Sequence, residues 1–284
     1  MKIVIFPNLM KKDAYACTVS VCRLLISCKA EVYMDSAYQK MFHDLNLRFG
    51  NFNEIVKTAD IAVAIGGDGT ILKCAARMIG CETKLLGINT GRLGFMASVE
   101  KHELELLERL FTNDYTISNR MMLTAQMTDD DKVMEYHALN DVVVSGSYSK
   151  IADFDVYANN NLIGNYRADG VVFSTPTGST AYSLSAGGPI IEPELECIEM
   201  NLICPHSLFT RPMIYTPDKI LTLVNGSSEN KICLCVDGNE PVVLKKGQKL
   251  RIKKSIYKIK LIDITGASFY DSLNKKLMQS LKGR

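Results

Sequence analysis

The segment Ile61-Ala62-Val63-Ala64-Ile65-Gly66-Gly67-Asp68-Gly69-Thr70 decides the fold of the first part of the chain. Its five apolar residues predict a buried strand over 61–65, and the glycines predict a tight turn into a helix over about 71–79. Three glycines in four positions let the backbone approach a ligand closely and adopt a positive φ. Because the free N–H groups at a helix start favour phosphate, we predict a phosphate-binding turn here.

Asp68 is unexpected in a simple phosphate-binding turn, because a carboxylate repels phosphate. An aspartate at this position fits a general base on an attacking hydroxyl, or a group that organises a metal ion. The alternative is a strand-to-helix turn in which Asp68 is only a local cap. The segment is not a Walker A motif, since no Gly-Lys-Ser/Thr follows, and Leu72 replaces the last glycine of a Gly-x-Gly-x-x-Gly fingerprint.

Strands and helices alternate at short spacing up to about residue 115, which predicts an N-terminal, Rossmann-like parallel α/β domain. The predicted strands cover 2–6, 30–34, 61–65 and 84–88. The predicted helices run from a capping Asp13 to about 28, after the second strand to Leu45, over 71–79, and from Val99 to Leu110 after a capping Ser98.

After about residue 116 short strands separated by Asn, Gly and Asp predict a C-terminal, β-sandwich-like domain with one short helix near Thr180. The predicted strands cover 121–127, 133–145, 154–158, 171–174, 202–204, 220–224 and 232–236. Ser268 and Asp271 fit a capping box, and apolar residues follow at helical spacing at 269, 273, 277 and 281. This apolar stripe predicts that the last helix returns to the first domain, so the domains are expected at 1–115 plus 266–284 and at 116–265.

The composition is that of an ordinary globular protein, with 284 residues, 47% hydrophobic residues and a net charge of +2. The basic stretch 245–260 predicts a half-buried strand, with Leu250, Ile252 and Ile256 on one face, rather than a nucleic-acid patch. Nine Cys without a Cys-x-x-Cys pair indicate reduced thiols, and four scattered His give no zinc spacing. With neither a signal peptide nor a membrane span visible, we expect a cytoplasmic protein without nucleic-acid or membrane partners.

A second segment, 174–189, reads Ser-Thr-Pro-Thr-Gly-Ser-Thr-Ala-Tyr-Ser-Leu-Ser-Ala-Gly-Gly-Pro. It predicts a strand end, a turn, and a hydroxyl-rich helix start that Gly187-Gly188-Pro189 terminates. Hydroxyl groups at Thr177, Ser179 and Thr180 can donate to phosphate or ribose. A capped short helix without a ligand is the equally simple alternative.

The glycine-rich turn resembles the signature shared by NAD kinases, by diacylglycerol and sphingosine kinases and, in a close variant, by phosphofructokinases. Segment 174–189 resembles the long signature of the NAD kinase family, which the other kinases are not expected to share. Four further segments, in the right order, are similar to that family: 87–95, 139–142, 204–208 with 211–212, and 236–238. The resemblance extends from the first strand to about residue 240.

This resemblance implies a kinase that transfers the γ-phosphate of ATP, or of polyphosphate, to the adenosine ribose 2′-hydroxyl of NAD, giving NADP. It also implies Mg²⁺ or another divalent cation with ATP, and a homodimer or homotetramer. Whether NADH also serves as acceptor stays open. Two alternatives are another kinase of the superfamily, with a lipid or sugar-phosphate acceptor, and a dinucleotide sensor without turnover.

The resemblance makes Asp68 the base, and no residue is assigned to a metal. Asp141 departs from the family, in which Glu is commoner. From the residues alone, Phe95 also fits a core aromatic, and Asp169 and Asp237, each before a glycine, also fit plain turns. The residues implied to bind ATP or the dinucleotide are Gly66, Gly67, Gly69, Thr70, Phe95, Asn140, Asp141, Asp169, Thr180, Ala181, Tyr182, Ser185 and Asp237.

Overall fold

The computed structural model describes the whole chain except residues 92–93, 130–131, 148–149, 208–209, 228–230 and 282–284. Arg92, Leu93 and Leu208 of the family-like segments therefore lie outside the described residues. The chain forms two compact units, a first unit of Met1–Asn119 with Ile259–Arg284 and a second unit of Arg120–Lys258. No described helix combines the length and the apolar character that a membrane span requires.

Strands predominate over helices among the described residues. The strands are β1 (Lys2–Pro7), β2 (Glu31–Asp35), β3 (Arg48–Gly50), β4 (Ile61–Gly66), β5 (Lys84–Asn89), β6 (Val99–Glu100), β7 (Thr116–Asp129), β8 (Lys132–Ala138), β9 (Asp141–Gly146), β10 (Ala152–Ala158), β11 (Asn161–Ala168), β12 (Gly170–Ser174), β13 (Ile198–Ile203), β14 (Met213–Tyr215), β15 (Leu221–Asn225), β16 (Ile232–Val236), β17 (Val242–Leu244) and β18 (Lys249–Asp263). The helices are α1 (Ala14–Ser27), α2 (Phe52–Ile55), α3 (Asp68–Ala76), α4 (Arg109–Thr112), α5 (Tyr182–Ser185) and α6 (Phe269–Leu281). Short 3₁₀ helices cover Ser36–Tyr38, Val56–Thr58, Leu104–Glu108 and Gly178–Thr180.

The first unit is built on a parallel sheet with the strand order β3-β2-β1-β4-β5. β4 is buried along its whole length, as its apolar run predicts. The apolar core of the first unit includes Ile3, Ile5, Val21, Leu25, Val63 and Ile65. The chain moves from β1 outward to β3 and then resumes on the other side of β1 with β4. The carboxyl ends of β1 and β4 therefore meet at the switch point where open α/β sheets bind ligands.

Two predicted helices of this unit form only in part. Of the predicted helix 99–110, the second half is helical, as the 3₁₀ helix Leu104–Glu108 that leads into α4. Val99 instead pairs with Ile88 in β6, and the Ser98 hydroxyl donates to the Ile262 carbonyl rather than capping a helix. After β2 only a 3₁₀ turn forms, and β3 was not predicted. Helix α1 begins as predicted, but Asp13 does not cap it, because its carboxylate pairs with Lys101 at 2.8 Å.

The second unit contains an antiparallel sheet with the order β14-β13-β12-β9-β16-β17. One face of this sheet, with Val142, Phe173 and Met200, enters the apolar core, which strands β7, β10, β15 and β18 also line. The other face carries Asp141, Ser174, Glu199 and Asn201. Ser174 pairs with Glu199 on one side and with Asp141 on the other, and all four residues are buried. The sheet is therefore unusual in burying a polar face as well as an apolar one.

The predicted two-domain fold, α/β followed by a β-sandwich-like part, is confirmed, and the segment that contains α6 belongs to the first unit. The Ser268–Asp271 capping box forms in both directions, with bonds of 3.1 Å from each backbone N–H. The predicted strand 133–145 is two strands, and β11, β14 and β17 were not predicted. The predicted domain bounds stay predictions.

The basic stretch forms β18, with Leu250 and Ile252 fully buried, as predicted. The prediction for Ile256 was wrong, because this side chain is 87% exposed. The alternation shifts by one residue at Lys253 and Lys254, which are both half-buried, so Ser255 points inward in its place.

Candidate active site

The glycine-rich turn lies at the switch point of the first unit. Gly67 follows β4 and Asp68 is the first residue of α3. Asn8, which follows β1, donates from its backbone N to the Ile65 carbonyl at 2.9 Å. Its side-chain amide donates to the Thr70 hydroxyl at 3.2 Å. The turn is thus tied to the neighbouring strand end, and the start of α3 is aimed at the edge where a ligand is expected.

The three glycines allow close packing and leave the backbone accessible, but they do not provide a positive φ. None of Gly66, Gly67 and Gly69 has a positive φ, so that part of the prediction was wrong. A Cβ on Gly66 would lie 2.7 Å from the Thr70 Cβ, which leaves no room for a side chain there. A Cβ on Gly67 or Gly69 would meet nothing within 4 Å. These two positions therefore keep the backbone accessible at the start of α3.

Asp68 is held by the second glycine-rich segment. Its Oδ2 accepts from the Phe95 backbone N at 2.8 Å, and its Oδ1 accepts from the Met96 backbone N at 3.2 Å. Gly94 packs so tightly on the carboxylate that a Cβ there would lie 2.5 Å from the Asp68 Cγ. The carboxylate is half-buried, so it is fixed in orientation by two amides and still accessible.

The second glycine-rich segment is itself fixed by Asn89, at the end of β5. The Asn89 side-chain amide donates to both carboxylate oxygens of Glu100, at 3.0 and 3.1 Å, and its Oδ1 accepts from the Gly91 backbone N at 3.0 Å. Thr90 donates from its backbone N to the Gly66 carbonyl at 2.8 Å. The two glycine-rich segments thus form one connected arrangement within the first unit.

In the second unit, Asn140 and Asp141 lie at the start of β9. The Asp237 carboxylate accepts from three consecutive backbone N atoms, those of Leu139, Asn140 and Asp141, at 2.7, 2.8 and 3.0 Å. Asp237 itself has a left-handed φ of 48°. Its carboxylate is therefore used to shape the turn before β9, and ligand binding by Asp237 stays a prediction.

Asn140 and Asp141 have the chemistry of ligand-binding groups. The Asn140 Oδ1 is buried and has no hydrogen-bond partner among the described residues, although buried acceptors normally find a donor. Burial and the nearby Asp237 carboxylate raise the pKa of Asp141 to about 7. Burial also raises the pKa of Asp237, and the three backbone N–H donors oppose that rise.

Segment 175–188, which is the part of 174–189 from the residue after β12 to Gly188, lies against Leu139 and Asn140. The Thr175 hydroxyl donates to the Leu139 carbonyl at 2.6 Å, and the Thr175 backbone N donates to the Asn140 carbonyl at 2.9 Å. Gly178 lies directly on Asn140, where a Cβ would come within 2.5 Å of the Asn140 carbonyl carbon. Of the predicted contact residues, Thr180 and Ala181 are half-buried, whereas Tyr182 and Ser185 are exposed.

Asp169 lies apart from this group, before the other end of β12. Its backbone carbonyl accepts from the Gly146 backbone N at 2.9 Å, at the far end of β9. One strand length of about 17 Å separates it from Asp141. The structure therefore brings together Asn140, Asp141 and the start of segment 175–188, but not Asp169.

Sequence reasoning missed Asn8, Asn89 and Glu199. Asn8 and Asn89 both follow apolar strands, so the strand-end rule that singled out Asp68 could have found them. Glu199 is an acid among apolar residues of β13, but that strand was predicted to begin only at 202.

The sequence matches two family profiles in succession. Residues 3–115 match the ATP-NAD kinase N-terminal domain, and residues 139–264 match the ATP-NAD kinase C-terminal domain. An NAD kinase from Thermoanaerobacter sp. (strain X514) is 36% identical over 283 residues, which cover 98% of this chain and 99% of that protein. An NAD kinase from Acetivibrio thermocellus is 40% identical over 244 residues, which cover 82% and 84%.

Two solved structures resemble the fold. The yeast NADH kinase in complex with NADH has 25% identity and a TM-score of 0.89, covering 98% of this chain and 87% of that one. An NAD kinase from Archaeoglobus fulgidus in complex with ATP has 23% identity and a TM-score of 0.74, covering 98% and 99%, and supports the fold alone. The two successive profiles, together with a relative matched over nearly the whole chain, show that this chain belongs to the ATP-NAD kinase family.

Proposed function

We propose that this protein is an NAD kinase that transfers the γ-phosphate of ATP to the adenosine ribose 2′-hydroxyl of NAD, giving NADP. The observation that carries the proposal is Asp68, a carboxylate at the start of α3 that two backbone amides orient and that remains accessible. A phosphate-binding turn has no use for this charge, whereas a phosphoryl acceptor needs a base.

In this mechanism Asp68 takes the proton from the 2′-hydroxyl as its oxygen attacks the γ-phosphorus and the bond to ADP breaks. The N–H groups at the start of α3, with Gly67, Gly69 and Thr70, hold phosphate groups of the substrates. Because phosphoryl transfer depends chiefly on positioning and charge neutralisation, fixing the base with two amides is a direct catalytic contribution.

The second unit supplies most of the proposed dinucleotide contacts. The unpartnered Asn140 Oδ1 accepts from an N–H or hydroxyl of the ligand, and Asp141 binds a ribose hydroxyl. Asp141 reaches about one methylene less far than the Glu that is commoner in the family. Thr180, Ala181, Tyr182 and Ser185 contact the dinucleotide from segment 175–188. Asp169, Phe95 and Asp237 are the remaining proposed contacts.

ATP would carry a divalent cation such as Mg²⁺, which would supply charge neutralisation at its phosphates. The part of the chain that the structure describes holds no group of three or more His, Cys, Asp or Glu side chains that fits a metal ion. No step of the mechanism is assigned to a protein-bound metal. On the family resemblance we also propose a cytoplasmic homodimer or homotetramer.

The purified protein, NAD, ATP and Mg²⁺ should yield NADP, measured with a dehydrogenase that uses only NADP. Asp68→Asn should lower kcat by about 100-fold or more, because general-base catalysis contributes about 10²–10⁴-fold. Asp44→Asn, at an exposed position, is the matched control and should keep the wild-type rate. NAD binding by the wild type without NADP from either ATP or polyphosphate would instead favour the sensor.

A further inference from the structure

Glu199 is an acid in the interior of the second unit. It lies in β13, is fully buried, and points to the polar face of the sheet. Its strand neighbours across the sheet are Ser174 and then Asp141, so all three side chains lie in one row. A buried acid costs free energy unless its oxygens are satisfied, so its presence needs a reason.

The Glu199 carboxyl group holds segment 175–188 through a hydrogen bond to Ser183. Its Oε1 accepts from the Ser183 hydroxyl at 2.7 Å. The neighbouring Asn201 side-chain amide donates to the Ser183 carbonyl at 3.2 Å, and the Gly188 backbone N donates to the same carbonyl at 2.9 Å. A Cβ on Gly188 would lie 2.5 Å from the Ser183 hydroxyl oxygen and would overlap Glu199 Oε1. Helix α5 and the turn that ends it therefore rest directly on this acid.

The other end of the segment has its own anchors. The Thr175 hydroxyl donates to the Leu139 carbonyl. The Ser179 hydroxyl donates to the Pro176 carbonyl at 2.7 Å and accepts from the Ile191 backbone N at 3.0 Å. Thr180, Ala181 and the exposed Tyr182 lie between these anchors and Ser183, and the exposed Ser185 follows it. Fixing Ser183 thus fixes how α5 presents them.

Only one of the two carboxyl oxygens of Glu199 has a hydrogen-bond partner among the described residues. Glu199 Oε2 is buried and has no hydrogen-bond partner among the described residues. Burial raises the pKa of Glu199, and the Ser183 hydrogen bond opposes this rise. Among the described residues, only the Oε1 atom of Glu199 therefore has a hydrogen-bond partner. We expect that a neutral side chain with an acceptor at the Oε1 position can replace the acid.

We propose that Glu199 is a positioning residue for dinucleotide binding, which acts by holding Ser183 so that Thr180, Tyr182 and Ser185 face the dinucleotide. This inference rests on the proposed function, because it takes those three residues as contacts. It assigns no chemical step to Glu199. It predicts that the contact with Ser183 sets the affinity for NAD and leaves the affinity for ATP unchanged.

Four variants test this in the full-length protein, with NAD affinity by calorimetry and the KM values for NAD and ATP as readouts. Glu199→Met removes the acceptor at similar volume, and Ser183→Ala with Glu199→Met removes both partners, which avoids an unpaired hydroxyl. Glu199→Gln keeps an acceptor for Ser183. Glu194→Ala, at an exposed position between α5 and β13, is the control. Thermal unfolding establishes that each variant is folded.

Loss of one buried hydrogen bond should raise the Kd and KM for NAD about tenfold in Glu199→Met and in the double variant, with the KM for ATP unchanged. Glu199→Gln should stay within about threefold of the wild type. If the folded double variant binds NAD within twofold of wild type, or if the KM for ATP rises equally, the positioning role is wrong. The wild type is measured first: if it makes no NADP and binds no NAD, the proposed function fails, which is a separate result.

Discussion

Asp68 and Gly94 are in such close contact that no side chain fits at position 94 without displacing the Asp68 carboxylate. The glycine belongs to the same segment whose amides, those of Phe95 and Met96, hold that carboxylate. The second glycine-rich segment therefore acts on the first by fixing the orientation of one carboxylate.

Gly94→Ala should consequently lower kcat for NADP formation. The methyl group would push the carboxylate aside, and a displacement of about 1 Å in a reacting group costs about 100-fold. The KM for NAD should change little, because the proposed dinucleotide contacts lie mostly in the second unit. Gly91→Ala is the matched control, since a Cβ there meets nothing within 4 Å. Equal rates for the two variants would refute the importance of this contact.

Gly178→Ala should weaken NAD binding and lower stability. Its Cβ would lie 2.5 Å from the Asn140 carbonyl carbon, so the turn that carries Asn140 must shift. Overpacking of this kind costs about 1–3 kcal/mol of the free energy of unfolding. Urea unfolding and the KM for NAD measure the two effects. A destabilised variant with an unchanged KM for NAD would contradict a role of Asn140 in dinucleotide binding.

Asp237→Ala should destabilise the protein strongly. It leaves the backbone N–H groups of Leu139, Asn140 and Asp141 without their acceptor, at a cost of about 1–3 kcal/mol for each buried donor. We expect the free energy of unfolding in urea to fall by about 3 kcal/mol or more. The exposed Asp44→Ala provides the reference. A loss no larger than in that variant would contradict the shaping role of Asp237.

Asp141 makes stability depend on pH. Its pKa in the folded protein is raised to about 7, so the unfolded chain gives up this proton more readily. The free energy of unfolding should therefore fall as the pH rises from about 4 to about 7 and then level off, by on the order of a few kcal/mol. Asp141→Asn should remove this contribution. Parallel stability curves for the two proteins between pH 5 and 8 would contradict the shifted pKa.

Much of the fold could be predicted because the decisive strands are marked locally. The apolar run 61–65 and the glycines after it determine β4 and α3 without help from the rest of the chain. Val99 to Leu110 was predicted as a helix on equally local grounds. Its first residues form a strand instead, because Val99 pairs with Ile88, and such a contact between strands has no local signal.

The site could be predicted in its residue types but not in its connections. The sequence singles out Asp68 as chemically unusual. It does not reveal that the backbone N–H groups of Phe95 and Met96 bind the Asp68 carboxylate, because almost any residue supplies a backbone N–H. Asp237 is predicted as a ligand contact, but the sequence gives no sign that its carboxylate also accepts from three backbone N–H groups. Glu199 was missed because only the fold reveals that its strand faces segment 175–188.

The most direct test of the central claim is phosphoryl transfer from ATP labelled at the γ-phosphate to two acceptors, NAD and NAD lacking the adenosine 2′-hydroxyl. The account predicts that label enters NAD, that Asp68→Asn abolishes nearly all of it, and that the deoxy analogue is never labelled. Labelling of the deoxy analogue at a rate comparable to NAD would place the acceptor elsewhere and contradict the account.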